Sequence, residues 1–386
     1  MSEERTVARR GGSARVAWGR GKVGVVTGFR VREAGPADYE ALRGCIDEVY
    51  RETGAHKTQV FDRALWEWQY LENELPSLIA VAEAEGGLCG YFHALRFRMR
   101  FRGQPAMGAL LTDLGTLSAY RRQGVFRAMC GFLLERLRAE GVDLIYLFPN
   151  ARGRSLPGFV RNHRFTVVAG IPVYVAPLDL GALLALHLRL GTPGRWLGWL
   201  LQPVVRALRL RTPALEPAEE IVLLDRLDAR FEPLVRDFAR GRAVGLERNI
   251  RYLRWRFLEK PRGDYRVWAL ARRGQLSAYV VTRPAALFDT RCTVFMDLGC
   301  AAGEDAALRR LIRTRLEADR RDGAVLGVTM GLHPHFGELG KVGFVRVPER
   351  FNPRPLNLIA QELTETGPEL FDPSAWHITP ADWDVL

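Results

Sequence analysis

The sequence predicts an α/β protein made of two related domains. One observation is a repeat: "TDLG" at 112–115 returns as "MDLG" at 296–299, setting Asp113 against Asp297 at an offset of 184. A second is local periodicity, with alternating apolar runs of strand type interleaved with runs of helical spacing in each copy. The third is composition: 386 residues that are 47% hydrophobic can bury a sizeable core in two or three domains.

The copies correspond element by element. Each opens with a strand (Phe29–Arg32; Ile221–Leu224) that leads into one or two helices. "LWEWQYL" pairs with "YLRWRFL", aligning Trp68 with Trp255. Two strands follow, at 78–83 and 88–98 in one copy and at 265–270 and 276–282 in the other, and "LCGYF" against "LSAYV" aligns Tyr91 with Tyr279. A long strand (106–117; 291–300) then delivers the main helix (124–141; 305–322). In the first main helix Phe126, Met129, Phe132, Leu133 and Leu137 recur at helical spacing, which marks a buried face. A glycine turn, an apolar strand, a short helix and a last strand close each copy, with Phe165 matching Phe344. The matches keep their order at offsets of 179 to 188. The expected organisation is a disordered basic tail at 1–26, a first domain at 27–177, an apolar helical linker at 178–215, a second domain at 216–350 and a C-terminal segment at 351–386 holding a strand at 357–363. Trp66, Trp68, Trp255 and Phe257 read as core or interdomain packing rather than as substrate platforms.

Formal net charge is +12, and 52 of the 56 basic residues are Arg, a bias that fits a GC-rich bacterial coding sequence. The chain carries no RNA-binding signature, zinc-finger spacing or basic heptad helix, so no nucleic-acid partner is expected. Cys45, Cys89, Cys130, Cys292 and Cys300 are scattered and form no CxxC, as expected of buried thiols in a reducing, cytoplasmic setting. No metal is expected: His333 and His335 flank Pro334 without cysteine or carboxylate at ligand spacing, and His163 on an apolar helix reads as structural. The linker "LDLGALLALHLRLGTPGRWLGWLLQPVVRALRLR" (178–211) reads as helices packed across both domains. Its alternative is an interfacial helix pair on the inner face of a membrane, with Trp and Leu inward and Arg outward.

The stretch "LLTDLGTLSAYRRQGVF" (110–126) carries the chemistry. The first N–H groups of a helix lack internal partners and sit at the positive end of its dipole. A glycine there lets backbone approach a bulky anion, and arginines add charge, so Arg121, Arg122, Gln123 and Gly124 make an anion site. Neither Walker A nor GxGxxG spacing is present.

"YRRQGVF" after a long strand and before a helix resembles the Arg/Gln-x-x-Gly-x-Gly/Ala pyrophosphate loop of GCN5-related N-acetyltransferases (GNATs). "DLIYLFPNARGRSLPGFVRNHRF" (143–165) resembles the strand, asparagine and terminal helix that follow it in that family. The resemblance covers about 27–177; the repeat extends it to a diverged second copy at 216–350. It implies tandem GNAT-like domains, each a mixed, mostly antiparallel sheet with flanking helices, and acyl transfer from acetyl-CoA, as co-substrate, to a primary amine such as an amino sugar or small amine. By the resemblance, the backbone of Leu114, Gly115 and Thr116 would hold the pantetheine arm and the N–H groups of Arg122, Gln123, Gly124, Val125 and Phe126 the pyrophosphate. Asn150 would bond the cofactor or cap a helix. Asp113 is the candidate base or amine-binding carboxylate, or else a fold feature shared with Asp297. Tyr146, Tyr174 and Ser155 are the candidates for the acid.

Four positions depart from the family pattern: Phe126 replaces a small residue, Ser118 a proline and Arg164 a glycine, and Phe159 and Val160 stand where the family's tyrosine acid is expected. In the second copy "GCAAGEDAAL" replaces the loop, and Glu304 and Asp305 at the helix start would repel phosphate. That half is expected to bind no coenzyme A and to shape the acceptor pocket. The competing expectations are a longer acyl or aminoacyl-tRNA donor, a non-catalytic binding protein of the same fold, or a membrane-associated scaffold.

Overall fold

The computed structural model describes residues 14–16, 24–26, 28–54, 62–153, 155–187, 191–210, 213–240, 243–287, 290–332 and 335–383. In chain order the first copy holds β1 (Ala14–Val16), β2 (Gly24–Val26), β3 (Phe29–Glu33), α1 (Tyr39–Thr53), α2 (Arg63–Tyr70), β4 (Leu75–Ala84), β5 (Gly87–Phe101), β6 (Gln104–Thr116), α3 (Val125–Ala139), β7 (Leu144–Leu147), α4 (Leu156–His163), β8 (Thr166–Gly170) and β9 (Val173–Pro177). Helices α5 (Leu180–His187) and α6 (Gly191–Leu210) connect it to the second copy. There follow β10 (Glu219–Leu224), α7 (Phe231–Arg240), β11 (Val244–Leu246), α8 (Ile250–Leu253), β12 (Arg266–Arg272), β13 (Gln275–Leu287), β14 (Thr290–Cys300), α9 (Asp305–Arg321), β15 (Leu326–Met330), α10 (Phe336–Leu339), β16 (Val345–Arg346) and β17 (Asn357–Glu362).

Two sheets repeat one plan. The first runs β3-β4-β5-β6-β7-β17-β8, with β11 also pairing β5, and the second runs β10-β12-β13-β14-β15-β9-β16. Neighbours are antiparallel except for β6–β7 and β14–β15, which are parallel. In both sheets the parallel neighbour comes from the strand after the main helix, because a helical crossover returns the chain in the same direction.

The topology corrects the expected boundaries. β9, the last strand of the segment assigned to the first domain, lies in the second sheet between β15 and β16. β17, from the C-terminal segment, lies in the first sheet between β7 and β8. Each copy lends the other its last strand, which becomes the penultimate strand of the recipient sheet. The N-terminal segment is corrected too: β1 and β2 pair antiparallel where a disordered tail was expected, and its remaining residues lie outside those described.

Three cores result. Met129, Leu133 and Leu137 of α3 pack on one face of the first sheet, and Leu308, Leu311 and Leu316 of α9 on the matching face of the second. The largest core fills the space between the sheets and draws on both copies. At its centre the aligned tryptophans stack, Trp68 on Trp255, with ring centroids 4.7 Å apart. Each indole N–H donates to the other residue's backbone oxygen at 2.8 Å, a reciprocal contact of the kind expected at a two-fold interface. Trp66 and Phe257 are buried in the same core, as packing residues.

The repeated "DLG" has a packing cause. Gly115 faces Tyr91 across the ladder, and a Cβ on Gly115 would lie 2.4 Å from that ring. Gly299 faces Tyr279 in the second sheet, so each copy lays a tyrosine over a glycine at this rung.

Candidate functional site: the first main helix and its mirror

β6 and β7 share only three rungs, the last being Leu110 with Tyr146. Beyond it the strands part, and among the described residues no strand pairs the β7-side edge of β6 over Leu111–Thr116. Leu114, Gly115 and Thr116 therefore border a gap whose backbone groups lie outside the ladder, where the pantetheine arm was expected.

Asp113 marks the gap. It is the extra residue of a bulge, since Phe92 pairs with Leu114 and His93 with Thr112, and its φ is 42°. The half-buried carboxylate accepts a hydrogen bond from the Tyr70 hydroxyl. Behind it, His93 is fully buried, its Nδ1 lies 3.0 Å from the Asp113 carbonyl oxygen, and its ring lies tilted against Tyr70 with centroids 4.3 Å apart. Burial lowers the His93 pKa, which favours a neutral ring donating from Nδ1. The sequence had not pointed to Tyr70 or His93.

The loop after β6 is a short 3₁₀ turn that ends in two left-handed residues, Arg122 (φ 62°) and Gly124 (φ 89°), with Gly124 at the N-cap of α3. The first backbone bond of α3 runs from the Ala128 N–H to the Gly124 oxygen at 2.9 Å, so the preceding N–H groups lie outside the helix's own ladder. Arg121, Arg122, Gln123 and Gly124 are exposed, and Arg122 makes no ion pair among the described residues. Gln123 Nε2 donates to the Ala119 oxygen at 2.6 Å, and Arg121 Nε to the Thr116 oxygen at 3.0 Å, which fixes the loop on the end of β6.

Glu52 of α1 completes this brace: it accepts from the Ser118 N–H and hydroxyl, each at 2.7 Å, and lies 3.4 Å from Arg121 Nη2. The Ser118 bonds hold its carboxyl below the usual range. A proline at 118 could supply neither donor, so Ser118 and Glu52 together replace a rigid turn with a bonded one. Phe126 is accommodated from the other side: its ring meets Phe159 edge-on at 5.1 Å and lies against Gly158, where a Cβ would come within 2.9 Å. Val125 is buried beneath the loop.

Three other expectations change. Asn150 caps no helix: its Oδ1 accepts from the Arg152 N–H at 2.8 Å, making a turn at the end of β7, and Ser155 is the N-cap of α4. Tyr146 is sealed in the interdomain core, in ring contact with Phe148 and Trp376, and its hydroxyl has no partner among the described residues. Burial, with Asp382 adding to it, raises the Tyr146 pKa well above 10. Its phenol thus keeps its proton but has no open route to a reacting atom. Tyr174 lies on β9, hence in the second sheet, against Phe336.

In the second copy Asp297 keeps a ladder partner, Val281, while Met296 is the bulged residue. Asp297 is fully buried and is bound by Arg248 (3.3 Å), the Tyr279 hydroxyl (2.9 Å) and the Thr379 hydroxyl (2.9 Å). Arg248 also binds Asp382 at 2.5 and 2.8 Å, so this carboxylate helps to anchor the C-terminal segment. At the start of α9, Glu304 occupies the N-cap and Asp305 the first turn. There Asp305 lies 2.7 Å from His335 Nδ1, and Cys300 Sγ 3.7 Å from His335 Nε2. Donor atoms of these three residues lie within 4.8 Å of one another, the one such group among the described residues that could hold a metal ion. This corrects the reading of His335 as lacking cysteine and carboxylate neighbours; His333 lies outside the described residues. A described cleft of about 530 Å³, lined by Arg266, Arg283, Arg291 and Asp319 among others, opens at the far end of α9 from this cluster.

Residues 30–162 match the family model for the acetyltransferase (GNAT) domain. Among solved structures, a GCN5-related N-acetyltransferase from Anabaena variabilis is similar at 12% identity and TM-score 0.59, over 87% of this chain and 73% of that one. A tandem GNAT protein from the clavulanic acid biosynthesis pathway is similar at 14% identity and TM-score 0.53, over 88% and 99%. A GCN5-related N-acetyltransferase from Kribbella flavida is similar at 11% identity and TM-score 0.54, over 87% and 72%. No curated protein gives a significant match. The segment 30–162 is thus a GNAT-type domain, and the chain has a tandem GNAT fold.

Proposed function

We propose that this tandem GNAT chain is an acyl-coenzyme-A-dependent N-acyltransferase, with acetyl-CoA as donor and the primary amine of a small molecule or amino sugar as acceptor, working in its first domain alone. The observation that carries the reading is the exposed N-terminus of α3, where Gly124 and Arg122, which makes no ion pair among the described residues, meet N–H groups outside the helix ladder. These groups suit a diphosphate. The unpaired edge of β6 suits the amides of a pantetheine arm.

The acceptor nitrogen must be neutral to attack. Asp113 stands at the gap to take its proton, and the Tyr70 hydroxyl steadies the carboxylate. The nitrogen forms a bond to the thioester carbon, the carbon–sulfur bond breaks, and the sulfur leaves with the electron pair. A backbone N–H near Leu114 would stabilise the oxygen as charge gathers on it. A thiol is far more acidic than an alcohol, with a pKa of about 8.5 for a cysteine side chain, so a thiolate can depart without a dedicated acid. That removes the need for Tyr146, and alignment of the two substrates supplies much of the rate.

Thermal shift with acetyl-CoA and desulfo-CoA tests the loop. Stabilisation by both, lost in Gly124→Trp and Arg122→Glu, is expected; no shift in the parent chain overturns the reading. Asp113→Asn is expected to retain the shift and lose about 100-fold in thiol release with an accepted amine. Tyr146→Phe is expected to keep turnover and to change stability by about 1 kcal/mol or less, because it removes an unpaired buried hydroxyl. A drop in kcat in that variant would instead make Tyr146 the acid. Binding without turnover across a panel of amines would point to a binding protein.

A further inference from the structure

The α5–α6 pair is a preassembled hairpin with an apolar face that no described residue covers. Its helices meet at Gly181 and Gly198, where a Cβ on Gly198 would lie 2.2 Å from the Gly181 Cα, so only glycine allows the approach. Asp179 accepts from the Ala182 N–H at 2.9 Å. Gln202 of α6 accepts from the Leu180 N–H at 2.8 Å and donates to the Leu178 oxygen at 3.1 Å, tying α6 to the start of α5. Gly194 and Gly198 thus set the inner side of α6.

The outer side holds Trp196, Leu197, Trp199, Leu200 and Leu201 at successive helical positions. Trp196 is 66% exposed, Trp199 69% and Leu200 62%. Large apolar side chains gathered in this way are rare on a monomer surface and mark a contact. The charge is one-sided as well: from 180 to 215 the sequence has five arginines and no aspartate or glutamate. Among the described residues no helix is long and apolar enough to cross a membrane.

We infer that the α5–α6 hairpin docks the protein on an anionic lipid bilayer, with Trp196, Trp199 and Leu200 entering the headgroup boundary and arginines meeting lipid phosphates. Tryptophan suits this depth because its ring is apolar and its N–H polar. The charge decides for lipid over a second copy, since the segment carries five arginines and no carboxylate, and two copies joined through it would bring like charges together.

Flotation of the full chain with vesicles of phosphatidylcholine alone, or of phosphatidylcholine with phosphatidylglycerol, tests the assignment. The chain is expected to float with the anionic vesicles, at least tenfold less with the neutral ones, and less as salt rises. The double variant Trp196→Glu/Trp199→Glu is expected to lose flotation while keeping the parent's melting temperature; Leu200→Glu serves where the double variant melts early. Absence of flotation, equal flotation with both vesicles, or flotation unchanged in the variants overturns the inference. So does a dimer in light scattering that Trp199→Glu dissociates, which would assign the face to a second copy.

Discussion

Asp113 and Asp297 occupy the same word of the repeat and do opposite work. Asp113 is the bulged residue at a gap, half-buried, bonded to one tyrosine and open to a ligand. Asp297 stands one place past its bulge, fully buried, and saturated by Arg248, Tyr279 and Thr379. The two helix starts diverge in the same sense: α3 offers Gly124 and N–H groups outside its ladder, whereas α9 offers two carboxylates, of which Asp305 engages His335. A duplicated site keeps its geometry only where a ligand needs it; elsewhere the same polar residues become fastenings.

The sharpest break of this comparison is Asp297→Ala. It strips Arg248 of one of its carboxylates inside the core and is expected to destabilise by about 3–5 kcal/mol, read as a lower urea midpoint at unchanged slope. Asp113→Ala should cost about 1 kcal/mol by the same measurement. Equal losses would mean that the two aspartates share a structural role.

A smaller asymmetry concerns acid stability. Two residues before Phe165 the first copy has His163, and two before Phe344 the second has Val342, both buried. Burial, with Arg127 adding to it, lowers the His163 pKa from 6.5 to about 4. The folded state therefore holds fewer protons than the unfolded one between those values, and stability is lost as pH falls through that window. The loss reaches about 3 kcal/mol at most. His163→Val is expected to remove this part of the slope, leaving the share of His93, whose pKa burial shifts in the same direction. A pH–stability profile unchanged by the substitution would place the acid sensitivity elsewhere.

The smallest effect lies at the next residue. Arg164 ends α4 at φ 61°, and Gly343 takes the same place before Phe344 at φ 92°. Arg164→Gly is expected to gain about 1 kcal/mol by relieving a left-handed non-glycine residue. A loss instead would show that the Arg164 side chain makes up for its backbone.

The repeat, the element order and the glycine-ended loop before α3 were legible in the sequence, because glycine turns, alternation and a helix start leave local marks. The exchange of β9 and β17 was not, since a strand of five or six residues reads the same in whichever sheet it pairs. The site was legible only along the backbone of 110–126. Glu52, Tyr70 and His93 reach it from 66, 43 and 20 residues away, and such partnerships leave no spacing signal. Cys300 and His335 are similarly joined only by the fold. Nor could the sequence foresee that Gly158 makes room for Phe126, because the compensation is steric and lies on another helix.

Because β17 closes the first sheet, that sheet cannot be finished as its own segment is translated. Some 187 residues separate the end of β8 at Gly170 from the start of β17 at Asn357. At about 5–20 residues per second a ribosome needs roughly 10–40 s to supply them. Throughout that interval β7 and β8 have open edges, which makes the nascent first half a natural client for chaperones and accounts in advance for any failure to obtain residues 27–177 as a soluble fragment.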